Sequence, residues 1–192
     1  ETELLKYEQR GFDISKELQD SVEMIEDMWK VASAFEKLER YDEAQDYYAR
    51  SFEISEEIGN NDLMGKSLNE IGSFYKRKEE NDLALNYYNR ALNIFEEIGD
   101  TNNIGWFLTI IGSVYFSKGD YDNTLDYYNR SLKIFEESGK KGWLGYPLIE
   151  IGMAYQFKGE YDKASDYYTR SLNIFEGLDN QSNIARSQLG LG

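Results

Sequence analysis

Ile71-Gly72-Ser73-Phe74-Tyr75 returns as Ile111-Gly112-Ser113-Val114-Tyr115 and again as Ile151-Gly152-Met153-Ala154-Tyr155, with Val31-Ala32-Ser33-Ala34-Phe35 as a degenerate first copy. The chain matches itself at a period of 40 without insertions, and a fixed period of this size marks an array of stacked supersecondary units. The second half of the period repeats equally well. Tyr41-Asp42 through Arg50 matches Asn81-Asp82 through Arg90, Tyr121-Asp122 through Arg130 and Tyr161-Asp162 through Arg170. Each of these is followed by an amphipathic run such as Ser131-Leu132-Lys133-Ile134-Phe135-Glu136-Glu137.

Both halves read as helices. Leu68, Ile71 and Tyr75 share one helical face, as do Leu85, Tyr88, Leu92 and Phe95, by the spacing of an amphipathic stripe. Each period is therefore a helix A, a tight turn and a helix B. In Lys118-Gly119-Asp120-Tyr121-Asp122 the glycine can take the left-handed conformation that ends helix A, and an aspartate can cap helix B. Asp46 and Arg50, Asp126 and Arg130, and Asp166 and Arg170 lie four apart, which predicts ion pairs on a solvated face. Pro147 is tolerable only in a first helical turn. Together with Gly139, Gly142 and Gly145 it predicts a fourth helix A that starts late or bends, a shift that either widens the groove beside Trp106 or is drift without consequence.

Composition narrows the function. The 192 residues hold no cysteine and no histidine, which excludes disulfides, thiolate metal sites, Ser-His-Asp and Cys-His catalysis and the usual zinc ligand sets. A formal charge of -15 argues against broad contact with nucleic acid or anionic membrane and suits a basic partner. No Gly-rich phosphate loop, zinc motif or calcium loop is present. No apolar run approaches the roughly 18 residues of a membrane span. The reading is a non-enzyme that needs no cofactor and no metal, with no nucleic-acid or membrane partner and a cytoplasmic location.

Leu108, Ile111, Gly112, Tyr115, Thr124, Tyr128 and Ser131, with their counterparts Leu68, Ile71, Gly72, Tyr75, Ala84, Tyr88, Ala91 and Leu148, Ile151, Gly152, Tyr155, Ala164, Tyr168, Ser171, occupy the positions that define the tetratricopeptide repeat (TPR). The sequence resembles that family along its whole length. Its longer period and the missing repeat-closing proline resemble the subclass of Pins-like adaptors and Rap-type regulators. The resemblance implies an all-α, right-handed superhelical solenoid of antiparallel helix hairpins, working as a protein-interaction scaffold. Small residues at 72, 84 and 91 are expected where helices approach closely.

The expected organisation is a single array over 1–192: a lone helix B at 1–20, full repeats at 21–60, 61–100, 101–140 and 141–180, and the start of a further helix A at 181–192. Tyr7, Arg10, Phe12 and Ile14 align with Tyr47, Arg50, Phe52 and Ile54. The chain reads as an excised piece whose uncapped ends would favour self-association.

In this family helix A lines the inner, concave face, and the resemblance implies that ligand contacts lie there. By register, repeats 3 and 4 place Trp106, Phe116, Tyr146, Ile149, Met153 and Phe157 where a solvated groove would be polar, an apolar patch suited to a partner. Lys66, Asn69, Lys76 and Arg77 form a basic patch that could hold an acidic residue or a terminal carboxylate. Ser33, Ser73 and Ser113 stand where chaperone-tail binders of the family carry asparagine, which disfavours that ligand. The leading reading is a scaffold binding a peptide segment of a partner on its concave face. The alternative is a spacer or self-assembly arm of a larger signalling protein.

Overall fold

The computed structural model describes residues 3–17 and 20–192, and within the first helix the side chains of residues 3, 5, 6 and 9–13. Ten helices follow one another: α1 Glu3–Glu17, α2 Ser21–Lys37, α3 Tyr41–Ile58, α4 Asn61–Arg77, α5 Asn81–Ile98, α6 Thr101–Ser117, α7 Tyr121–Glu137, α8 Lys141–Phe157, α9 Tyr161–Gly177 and α10 Gln181–Leu191. Among the described residues there is no strand, and no helix is long and apolar enough to cross a membrane. The fold is the expected all-α succession of helix hairpins. It divides into two compact units, Glu1–Ile98 and Gly99–Gly192. In the first, α1 packs on α2, α2 on α3 and α3 on α4, and α4 pairs with α5; in the second, α6 through α10 pack in chain order, with α8 also meeting α6 and α10. The even-numbered helices are helix A of each hairpin.

The turns obey a 20-residue rule. Gly59, Gly99, Gly119, Gly139 and Gly159 all have φ between 69° and 77°, and Glu39, Glu79 and Asp179 hold the same left-handed place with φ 59°, 61° and 52°. Glycine takes this conformation freely, whereas an L side chain crowds the following carbonyl. Asp120 caps α7 through the backbone N–H of Asn123, as the sequence predicts, and Asp20, Asn60, Asp100 and Asn180 cap α2, α4, α6 and α10 likewise. Arg40, Lys140 and Glu160 make no such bond at α3, α8 and α9.

The small residues of helix A have a more specific cause than close helix approach. A Cβ at Gly72, Gly112 or Gly152 would stand 2.7, 2.6 or 2.9 Å from the ring of Tyr88, Tyr128 or Tyr168. At Gly65, Gly105 and Gly145 it would meet Phe95, Phe135 and Phe175 at 2.4 to 2.5 Å. Each helix A of these hairpins thus offers two bare backbone seats for two aromatic rings of helix B, and all six rings are buried. Complete burial of each ring contributes about 2–3 kcal/mol.

The fourth helix A does not start late. α8 spans Lys141–Phe157, the same 17 residues as α6 at Thr101–Ser117, with Pro147 inside it. The departure is confined to the first turn. Trp143 N donates to Lys140 O at 2.9 Å, an i to i−3 bond, where α2, α4, α6 and α10 open with i to i−4 bonds such as Ile104 N to Asp100 O. The tighter turn precedes the carbonyl of Trp143, which proline deprives of its donor. Gly139 is the left-handed turn residue and Gly145 is the seat of Phe175.

The arginines of helix B do more than pair with aspartate. Arg50 lies 3.7 Å from Asp46 and Arg130 3.9 Å from Asp126, but Arg170 approaches Glu136 of the preceding helix B at 3.7 Å. Arg90, Arg130 and Arg170 also stack over Tyr87, Tyr127 and Tyr167 at 5.0 to 5.4 Å, and those rings stack on Tyr75, Tyr115 and Tyr155 of helix A. In the N-terminal segment Phe12 meets Tyr47 edge-on at 5.9 Å and Arg10 is exposed; the side chains of Tyr7 and Ile14 lie outside the described ones.

Candidate protein-binding surface

Helix A of each hairpin carries a polar seam that the buried helix B tyrosine reaches from below. Tyr48 OH donates to Glu36 at 3.4 Å, Tyr128 OH to Glu150 at 3.5 Å and Tyr168 OH to Gln156 at 2.9 Å, and Tyr88 OH lies 3.1 Å from Ser73 Oγ. Burial, then the neighbouring carboxylates Glu36 and Glu150, pushes the Tyr48 and Tyr128 phenols far above their ordinary range, and burial raises those of Tyr88 and Tyr168. These groups stay neutral at physiological pH, and Tyr48, Tyr128 and Tyr168 act as donors.

In the first unit the expected basic patch is largely neutralised. Lys66 is held by Asp62 at 2.6 Å one turn back. Arg77 forms a forked pair with Glu36 of the preceding helix A, its Nη2 at 2.7 Å from Oε2, and that pair raises the guanidinium's pKa further. Lys76 is half-buried and engaged. Asn69 donates to Glu70 at 3.1 Å while its own carbonyl is buried without a partner. These groups are therefore committed within the unit and form no free carboxylate-binding cluster. Two neighbouring cavities of this unit lie close by instead. One of about 420 Å³ lies over α2 and a neighbouring one of about 300 Å³ runs toward Arg77.

In the second unit helix A is nearly free of charge. α6 contains no acidic or basic residue, and α8 contains Lys141 and Glu150. The six apolar residues singled out by register do not form one patch. Ile149 is a correction: it is fully buried in a cluster with Ala164, Tyr168 and Phe175, because its side of helix A faces the helix B of its own hairpin. Tyr146 and Met153 are half-sunk against the same cluster; Tyr146 meets Phe175 at 5.3 Å, and Arg186 lies 3.4 Å from the Met153 sulfur while bonding Glu150 at 2.5 Å. Phe116 is half-buried. Trp106 and Phe157 are open, at 43% and 61% exposure.

Two exposed aromatic groups result. At one end Trp106 lies edge-on to Trp143 at 6.3 Å, and Trp143 stacks on Phe135 and contacts Tyr146. At the other, Phe116 meets Phe157 edge-on at 5.0 Å and Tyr121 at 5.6 Å. Trp143, itself 41% exposed, lies a turn before the helix A positions singled out by register, and Tyr121 opens helix B, so neither was among them; Trp106 and Trp143 are 37 apart in sequence, Phe116 and Phe157 41 apart. Phe116 with Phe157 repeats the relation of Glu36 with Arg77. The same place is an ion pair in one unit and an aromatic pair in the other.

Tandem 40-residue helix hairpins, three of which seat two helix B aromatics on helix A glycines, define a helical-repeat protein. The tetratricopeptide repeat model matches residues 24–97 and 103–177, and the chain belongs to that family. Its members are generally non-catalytic protein-interaction scaffolds. No curated protein sequence matches it. Among solved structures it is similar to BtubC (BKLC) from P. vanneervenii, with 18% identity and a TM-score of 0.87 over 100% of this chain and 82% of that one. It is also similar to the signal-transduction ATPase with numerous domains from Pyrococcus horikoshii, which bears a tetratricopeptide repeat sensor, with 25% identity and a TM-score of 0.78 over 95% of this chain and 30% of that one. The apo form of RapI shares 20% identity and a TM-score of 0.79 over 94% of this chain and 52% of that one. The chain thus spans about a third of the ATPase and about half of RapI.

Proposed function

We propose that the protein is an interaction scaffold whose residues 99–192 hold a peptide segment of a partner along the helix A face. The observation that carries this is the pair of exposed aromatic groups on two almost uncharged helices. Helices that are apolar nearly all round belong in contact with other protein, and Trp and Tyr are the residue types that dominate binding energy at interfaces. Trp106 and Phe116 are ten residues apart on α6, about 15 Å at helical rise. That spacing fits a segment with two apolar anchors, and the shortage of charge makes its binding insensitive to salt. The Pyrococcus horikoshii protein's use of such repeats as a sensor is in keeping with this.

The test is a displayed-peptide selection on the parent and on a Trp106→Ala, Phe157→Ala variant, which keeps its fold because both side chains are exposed. A motif with two apolar anchors, enriched on the parent and lost on the variant, is the expected result. Equal enrichment on both, or none on the parent, overturns the reading in favour of a spacer or assembly arm.

A further inference from the structure

We infer that residues 1–98 carry a second recognition site, a groove along α2 that takes a short extended peptide anchored by a cationic side chain. The groove encloses about 420 Å³ and is lined by Glu26, Trp29, Lys30, Ser33 and Lys37 of α2 and Glu70 of α4. The α2 residues follow helical spacing on one face. Glu26 to Lys37 is eleven residues, about 16 Å, the length of roughly five extended residues.

Which charge the groove favours is decided by which of its ions are already engaged. Lys30 is drawn to buried Asp27 at 2.7 Å, and Arg77 at the adjoining cavity is drawn to Glu36. Among the described residues Glu26 and Glu70, from neighbouring helices, form no ion pair, and Glu70 accepts from the neutral Asn69 amide. Trp29 forms part of the wall and its ring is fixed by a bond from Nε1 to Ser51 Oγ at 3.0 Å, so an aromatic face stands beside the two carboxylates. Carboxylates with an indole face are the surroundings that hold a guanidinium or ammonium. Lys37, which forms no ion pair among the described residues, stands at the far end and gives the groove a direction, with an acidic residue or carboxylate of the ligand favoured about five residues from its cation. The unit as a whole has 24 acidic and 12 basic residues, against 12 and 9 in residues 99–192, so its field draws cationic segments.

The test uses the full chain and four acetylated, amidated pentapeptides that differ only in carrying Arg, Lys, Ala or Glu at one place, with binding followed by NMR chemical shifts. The Arg and Lys peptides bind, with shifts in α2, and the Ala and Glu peptides bind at least tenfold more weakly. Glu26→Gln with Glu70→Gln reduces Arg-peptide affinity at least tenfold, whereas Glu53→Gln with Glu57→Gln on α3, the same charge change on exposed residues, reduces it less than twofold. Trp106→Ala with Phe157→Ala leaves it intact, which separates this site from the one proposed above. Equal losses in the two glutamate variants would show a general charge effect and overturn the site. So would preference for the Glu peptide, shifts outside α2 and α4, or no binding at millimolar peptide.

Discussion

A single atom added to α5 tests how the hairpin interior is wired. In three hairpins the helix B position that faces helix A is a serine. Ser51 Oγ receives Trp29 Nε1 at 3.0 Å, Ser131 Oγ lies 2.8 Å from Thr109 Oγ1 and donates to Gly105 O at 2.7 Å, and Ser171 Oγ donates to Gly145 O at 3.0 Å. In the remaining hairpin the place is Ala91, fully buried, and the helix A residue opposite by register is Asn69, whose carbonyl oxygen is buried with no partner. A buried orphan acceptor costs about 1–3 kcal/mol. Ala91→Ser places a hydroxyl where the other repeats already accommodate one, beside Gly65 as Ser131 is beside Gly105. After the cost of burying the hydroxyl itself, the gain is about 1 kcal/mol, a rise of about 2–4 °C in melting temperature for a chain of this size. Urea unfolding followed by circular dichroism measures it. The gain should shrink by more than half in an Asn69→Ala background, where there is no orphan to satisfy. A variant no more stable than the parent, or equally stabilised with and without Asn69, refutes the reasoning.

Other perturbations follow from the same geometry. Gly112→Ala drives a Cβ to 2.6 Å from Tyr128 and should cost about 1–2 kcal/mol after its gain in helix propensity, while Gly142→Ala, with nothing nearer than Leu178 at 3.7 Å, should gain up to about 1 kcal/mol; denaturant unfolding of the two separates seat from surface. Glu79→Gly relieves a side chain at φ 61° and should stabilise by about 1 kcal/mol, whereas Gly119→Ala imposes the same strain and should lose about as much, both read as shifts in melting temperature. The phenols of Tyr48, Tyr88, Tyr128 and Tyr168 are raised by burial, so the folded state holds protons that the unfolded chain releases above pH about 10. Their contribution is complete below pH 10 and falls as pH rises beyond it. Absorbance near 295 nm should show these four ionising only with unfolding; ionisation of all tyrosines before loss of helical signal would contradict it.

The 40-residue period made the hairpins and their order readable, because tandem copies reveal which positions tolerate nothing but a small residue. The turns were readable only where they hold glycine; Glu39, Glu79 and Asp179 take the same backbone conformation with nothing in their identity to announce it. Candidate surface residues were less legible, since register along one helix does not show which side its neighbour covers. Ile149 was read as part of the open groove and is interior, and Arg77 was read as part of a carboxylate-binding patch and is bound to Glu36. Trp143 escaped because it lies a turn before the helix A positions read as inner, and Tyr121 because it opens helix B. Pro147 was read as making its helix start late or bend, but α8 keeps the sibling span with a tightened first turn.

Hydrogen exchange of the full chain with and without a peptide selected on it tests the central claim most directly. The account predicts added protection in Thr101–Ser117 and Lys141–Phe157, the two helices that bear the exposed aromatics, and none in α7 or α9. Protection confined to α7, α9 or the turns would place the partner on the other layer and contradict the scaffold surface described above.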